Sequence, residues 1–288
     1  MTPKEVPFAF FGTPYVARDT LAALMDAGFT PKLVITSPDA PKGRGMKLTA
    51  CDTKAYAVER GLPVLSPDKL DEHFLVALSS YGCRYAVVVA YGKILPQSVI
   101  DAFPLGIVNV HYSLLPQYRG ASPVEAALLA GDLGTGVTIQ RMVRKMDAGD
   151  VLAVRAVPIA GSDTIRELRP RLIAEGASLL IETLPALVDG TVTAVPQDES
   201  QATFSPKILK EQGRLSLTGD PLGNWRTYRA FLESPGTFFY AAKGDARIRV
   251  KIARARYEND AFVIERIVPE GKSELDFSWL AENGWQPE

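Results

Sequence analysis

What most constrains this chain is the alternation, from Val6 to Val110, of short apolar runs with helix-like stretches. Val6–Phe11 reads as a buried strand, ended by Gly12-Thr13-Pro14, and the amphipathic stretch Tyr15–Ala27 follows, closed by Gly28. Lys32–Thr36 and Pro63–Leu65 read as further strands, with helices at about Asp52–Arg60 and Asp71–Tyr81. Tyr85–Ala90, bounded by Tyr91-Gly92, and Gly106–Val110 complete the series. Runs that are apolar throughout suit strands covered on both faces, and strands separated by helices pair in parallel. An α/β fold with a mostly parallel sheet is expected.

After Gly136 the pattern changes. Val137–Met142 and Val151–Val157 read as strands around a turn holding Asp147-Ala148-Gly149-Asp150, and a long helix runs from about Thr164 to Leu187, with Pro170 a weak point. Residues 191–205 are polar and read as a linker. Beyond them, Gly236–Ala241, Arg247–Ile252 and Phe262–Ile267 are strand-like runs separated by turns, so residues 206–288 are expected to form a small β-rich, barrel-like domain.

Composition removes several function classes. A formal net charge of −1 leaves no global field for nucleic acid, so any such contact must be a local patch. Two cysteines and two histidines are too few for a multi-ligand zinc site, and the spacing of Cys51 and Cys83 fits no redox motif. Neither a signal peptide nor a membrane span is expected, which points to a cytoplasmic protein without a metal.

The residues with chemical potential cluster in few places. Asn109-Val110-His111 ends a strand, where ligands of open α/β sheets bind, and alternation places Asn109 and His111 on one face. An amide N–H facing a developing oxyanion beside a proton-carrying imidazole suits acyl transfer, although a histidine at a strand end can also serve structure alone. Asp147, in a turn of ordinary turn residues, is the candidate third group, able to accept a proton from an attacking amine. Gly12-Thr13-Pro14 lacks the G-x-G-x-x-G spacing and argues against a dinucleotide enzyme. Lys42, Arg44 and Lys47 lie in a glycine-bearing loop, either solvated or able to grip phosphates. Arg247, Arg249 and Lys251 share one strand face, suited to nucleic acid or to a charge-protected sheet edge.

Taken together these segments resemble the folate-dependent formyltransferases, and within them the branch acting on methionyl-tRNA. The resemblance is carried by Phe11-Gly12-Thr13-Pro14, by Val87 to Gly92, by Asn109-Val110-His111-Tyr112-Ser113-Leu114-Leu115-Pro116-Gln117-Tyr118-Arg119-Gly120-Ala121, and by Met146-Asp147-Ala148-Gly149-Asp150. It implies a Rossmann-like catalytic domain over residues 1–190 and a small OB-like domain over residues 206–288. It also implies 10-formyltetrahydrofolate as formyl donor, initiator methionyl-tRNA as partner, a monomer, and Asn109, His111 and Asp147 as catalytic residues. The donor's pterin would lie near Val88, Val89, Ala90 and Tyr91, with Ser113, Leu114, Leu115 and Pro116 beside it and Ser113 structural rather than nucleophilic. Lys42, Arg44, Lys47, Arg247, Arg249 and Lys251 would face the tRNA. Relatives in the same superfamily act on amino-sugar nucleotides, which gives the alternative acceptor. Leu215-Ser216-Leu217 and Glu233-Ser234-Pro235-Gly236 depart from the tRNA branch's usual tail patterns.

Overall fold

The computed structural model describes residues 2–42 and 46–288. It divides into two compact units, one comprising Met1–Arg119, Gly136–Val157 and Arg171–Phe204, the other Gly120–Thr135, Pro158–Pro170 and Ser205–Glu288. No helix among the described residues is long and apolar enough to cross a membrane.

In chain order the first part runs β1 (Phe8–Gly12), α1 (Tyr15–Asp26), β2 (Leu33–Ile35), β3 (Ala40–Lys42), β4 (Lys47–Thr49), α2 (Asp52–Glu59) and β5 (Val64–Leu65). There follow α3 (Glu72–Ser79), β6 (Tyr85–Val89), α4 (Gln97–Asp101), β7 (Ile107–His111), β8 (Arg119–Gly120), α5 (Pro123–Ala130), β9 (Gly134–Arg141), β10 (Val151–Pro158) and α6 (Ile165–Val188). The last part comprises β11 (Phe204–Ser205), α7 (Pro221–Phe231), β12 (Phe238–Lys243), β13 (Ala246–Glu258), β14 (Ala261–Pro269), β15 (Leu275–Asp276), α8 (Trp279–Glu282) and β16 (Gln286–Pro287).

The first unit is built on a seven-stranded sheet in the order β10-β9-β7-β6-β1-β2-β5. β1 pairs in parallel with β2 and β6, β6 with β7, and β2 with β5, whereas β9 runs antiparallel to β7. Every residue of β1, β2 and β6 is buried, as uniformly apolar runs require. The chain builds outward from β1 to β5, then crosses to β6 and continues the other way. That reversal opens a crevice beyond the carboxyl ends of β1 and β6, where open α/β sheets bind ligands. Gly12 fits there by size, because a Cβ would stand 2.4 Å from the Ala17 methyl at the start of α1. Phe11 anchors the core below the crevice through edge contacts with Phe74, Tyr91 and Phe103.

Several local expectations change. The segment taken as a loop after Ser37 holds the hairpin β3–β4, although Pro41 and two lysines gave it no strand pattern. Of residues 191–205, expected as a linker, 191–204 belong to the first unit: Val195 forms a bridge with Val151, and Thr203 bonds to Pro116 and Arg119. The helix α6 continues through Pro170.

In the second unit, β15-β14-β13-β12-β16 form an antiparallel sheet of five strands. Its core gathers Leu215, Tyr228, Phe239, Val250, Ile252 and Ile267. The helix α7, absent from the sequence reading, starts with Asp220 accepting from the Leu222 and Gly223 amides and with Pro221 in its first turn. Tyr228 on α7 receives the Ala255 amide at 3.2 Å, beside the register shift between Ile252 and Ala255. β13 is paired on both sides, so its cations do not protect a sheet edge.

Candidate active site

β7 delivers Asn109 and His111 to the carboxyl end of the sheet on one face, with Val88, Gln140 and Thr138 as their cross-strand neighbours. Asn109 is half-buried, and its side-chain amide makes no hydrogen bond to the described residues. His111 is 5% exposed, with a polar group facing each ring nitrogen. Nε2 lies 2.9 Å from the Tyr118 carbonyl oxygen, which can only accept, so Nε2 carries a proton. Nδ1 lies 3.7 Å from Oδ2 of Asp147, just beyond hydrogen-bond range.

Asp147 is positioned by more than sequence neighbours. Gln140, on β9 opposite Asn109, donates its Nε2–H to Asp147 Oδ1 at 2.9 Å, which turns the other carboxylate oxygen toward His111. The Asp147 backbone has a φ of 50°, a left-handed conformation uncommon for a residue with a side chain and typical of functional turns. Gly149 makes the turn possible, since a Cβ there would fall 1.8 Å from the Arg141 carbonyl oxygen. Gly149→Ala is therefore expected to cost about 3 kcal/mol, the upper range for overpacking, and to displace Asp147. Denaturant unfolding and the transfer rate should fall together.

The loop after β7 is pinned by buried bonds. Thr138 Oγ1 donates to the Ser113 carbonyl at 2.7 Å and accepts from the Leu115 amide at 3.1 Å. Ser113 is fully buried and gives its hydroxyl to the Gln117 carbonyl at 2.6 Å, a structural use. Leu114 and Pro116 are half-buried and Leu115 is buried. At the end of β6, Val88, Val89 and Tyr91 are buried, Val88 and Tyr91 in the core cluster below the crevice. Burial pushes the Tyr91 phenol up to about 12. Ala90 alone of the four is exposed, with φ 45°, so this strand end can offer a flat ring main-chain groups but little side-chain surface.

Four positioning residues escaped the sequence reading: Gln140, Arg119, Gln197 and Glu199. A glutamine closing the strand-like run Val137–Gln140 was the available signal for the first. The Arg119 side chain is fully buried and donates from Nη1 and Nη2 to Glu199 at 3.1 and 3.0 Å. These bonds, joined by that from Lys145, hold the Glu199 carboxyl down to about 2. A lowered folded pKa means this pairing supports the fold at neutral pH and is lost only as pH falls toward 2.

The more distant cations sort into two groups. Lys42 and Lys47 face one another across the β3–β4 hairpin, both exposed, while Arg44 lies outside the described residues. Arg247, Arg249 and Lys251 are all exposed on β13. Arg247 bonds Glu288 at 2.8 Å and lies over the Tyr240 ring, and Arg249 lies over Phe238.

A family model for formyl transferases matches residues 5–184. The chain belongs to the formyl transferase family. It is 42% identical to a methionyl-tRNA formyltransferase of Koribacter versatilis over 80% of this chain and 74% of the relative. A methionyl-tRNA formyltransferase of Methylococcus capsulatus is 45% identical over 77% of this chain and 72% of the relative. Among solved structures, an N-formyltransferase from Helicobacter canadensis, in complex with folinic acid and dTDP-3-aminofucose, superposes with a TM-score of 0.64 at 17% identity. That superposition covers 90% of this chain and 89% of the other, and speaks to the fold. The Asn109, His111 and Asp147 constellation thus sits inside the matched formyl transferase region.

Proposed function

We propose that this formyl transferase moves the formyl group of 10-formyltetrahydrofolate onto the amino group of initiator methionyl-tRNA in the cytoplasm, acting as a monomer. The observation that carries the chemistry is the convergence of Asn109, His111 and an Asp147 carboxylate aimed by Gln140. The substrate amine attacks the formyl carbon, and the C–O π pair moves onto oxygen. The Asn109 amide and the Nε2–H of His111, which in the free protein rests on the Tyr118 carbonyl, donate to that oxyanion. Asp147 takes the proton lost by the amine and returns it to the folate nitrogen as the C–N bond breaks. The oxygen pair then re-forms the carbonyl, leaving a formamide and tetrahydrofolate.

Three features favour tRNA over an amino-sugar nucleotide. The relatives at 42% and 45% identity carry the methionyl-tRNA name. Lys42 and Lys47 also stand directly opposite one another, an arrangement that costs stability unless an anion lies between them. In the second unit, Arg249, Lys251 and Lys272 line a cleft of about 420 Å³ with only Glu270 as countercharge, a size and sign that suit a phosphodiester.

The test is formyl transfer measured on charged initiator tRNA beside uncharged tRNA, free methionine and a dTDP-amino sugar. Formylation of the charged tRNA alone is expected. Turnover confined to the sugar nucleotide would reassign the acceptor while leaving the chemistry in place.

A further inference from the structure

The stretch 191–205 carries a residue whose side chain is committed to the catalytic turn. Gln197 Nε2 donates to the Asp147 carbonyl at 2.8 Å and to the Gly149 carbonyl at 2.6 Å. Its Oε1 accepts from Arg119 Nε at 3.1 Å and Nη2 at 2.8 Å. A primary amide has two N–H donors and two oxygen lone pairs, and all four are used. The orientation of the amide is dictated by its partners, since carbonyls only accept and a guanidinium only donates. Arg119 is fully buried and braced in turn by Glu199, two residues beyond Gln197.

The geometry points to Gln197 as a positioning residue for the formyl transfer: a clasp that holds the main chain of Asp147 so that its carboxylate faces His111. The turn needs such a clasp. Asp147 sits in a left-handed conformation that its side chain disfavours, with Oδ1 held by Gln140 and Oδ2 facing His111 Nδ1. Without Gln197, the carbonyls on both sides of Ala148 lose the donor they share. The Arg119–Gln197 pair also ties the turn to the end of the Asn109-to-Arg119 segment, so both halves of the site are referenced to one buried guanidinium.

This inference rests on Asp147 acting with His111 as proposed above, and two substitutions separate the clasp from a general structural role. Gln197→Glu keeps the size and strengthens the contact with Arg119, but replaces the donor with an oxygen facing two carbonyls. Gln197→Ala removes both contacts. Both variants are expected to lose kcat by roughly tenfold to a hundredfold, with KM for the folate donor within about twofold, because the defect is misplacement of a reacting group. The melting temperature of Gln197→Glu should stay within a few degrees of the parent. A second readout does not need turnover. The chain has two histidines, so ¹⁵N spectra compared with a His73→Gln variant assign the His111 ring directly. Its Nδ1 resonance, on the Asp147 side, should move in both clasp variants, while Nε2, bonded to the Tyr118 carbonyl, should move less. Parent-like kcat and an unmoved Nδ1 signal in Gln197→Glu would overturn the clasp. A shifted Nδ1 in a protein whose wild type formylates none of the acceptors would keep the clasp and sink the functional reading instead.

Discussion

Replacing His111 with alanine is expected to lower kcat/KM for formyl transfer by about three orders of magnitude, within the span general acid–base groups supply. The imidazole is the one group in the site that can donate to an oxyanion from one edge while facing a carboxylate from the other. Alanine removes both functions, and Asn109 remains as the only side-chain oxyanion donor of the proposed pair. Some acceleration should therefore survive through Asn109 and bound-substrate proximity. The variant should fold. His111 is buried, so the Tyr118 carbonyl and Asp147 each lose a partner, and a fall of a few degrees in melting temperature is expected. Single-turnover rates with charged tRNA, read beside circular dichroism, check both parts. A rate within tenfold of the parent would remove His111 from the chemistry.

Asp147→Asn should cost roughly as much, about a thousandfold in kcat, for a reason of hydrogen-bond polarity rather than size. The asparagine keeps an oxygen for the Gln140 Nε2–H and places its NH2 where Oδ2 now faces Nδ1 of His111. An amide N–H facing Nδ1 leaves the Nε2–H in place, but the site loses the base that receives the amine's proton. An Asp-to-Asn change in the Ser-His-Asp triad costs about 10⁴, which sets the scale. Because the backbone bonds from Gln197 to the turn do not depend on the side chain, folate affinity and stability should change little. Isothermal binding of a folate analogue beside the rate assay tests that split. Equal losses of affinity and rate would mean that Asp147 holds substrate rather than moving protons.

The parallel sheet was legible because β1, β2 and β6 are apolar at every position, a pattern with few other uses. Asn109 and His111 were legible because alternation along a strand fixes their common face. The approach of Asp147 to His111 depends on contacts from distant residues, Gln140 on β9 and Gln197 far along the chain. A glutamine in a polar run looks like any solvated residue until its partners are known, so the segment around Gln197 read as a linker. The helix α7 went unread because Gly223, Asn224, Arg226 and Arg229 dilute its apolar positions, although Asp220-Pro221 marks its start. The strands β3 and β4 have no apolar alternation at all, and the residues of both are exposed.

The hydrogen bond between Gln197 and the Asp147 carbonyl spans 50 positions, and that span has a meaning in time. A ribosome adding roughly 5–20 residues per second releases the turn about 3–10 s before the side chain that secures it. The sheet can assemble on the nascent chain while the catalytic turn still lacks its fastening. Competence then arrives late and from downstream, when the last stretch of the first unit leaves the exit tunnel. A chain stopped between the end of β10 and Gln197 would hold all seven strands of the first sheet beside a catalytic turn that still lacks this clasp.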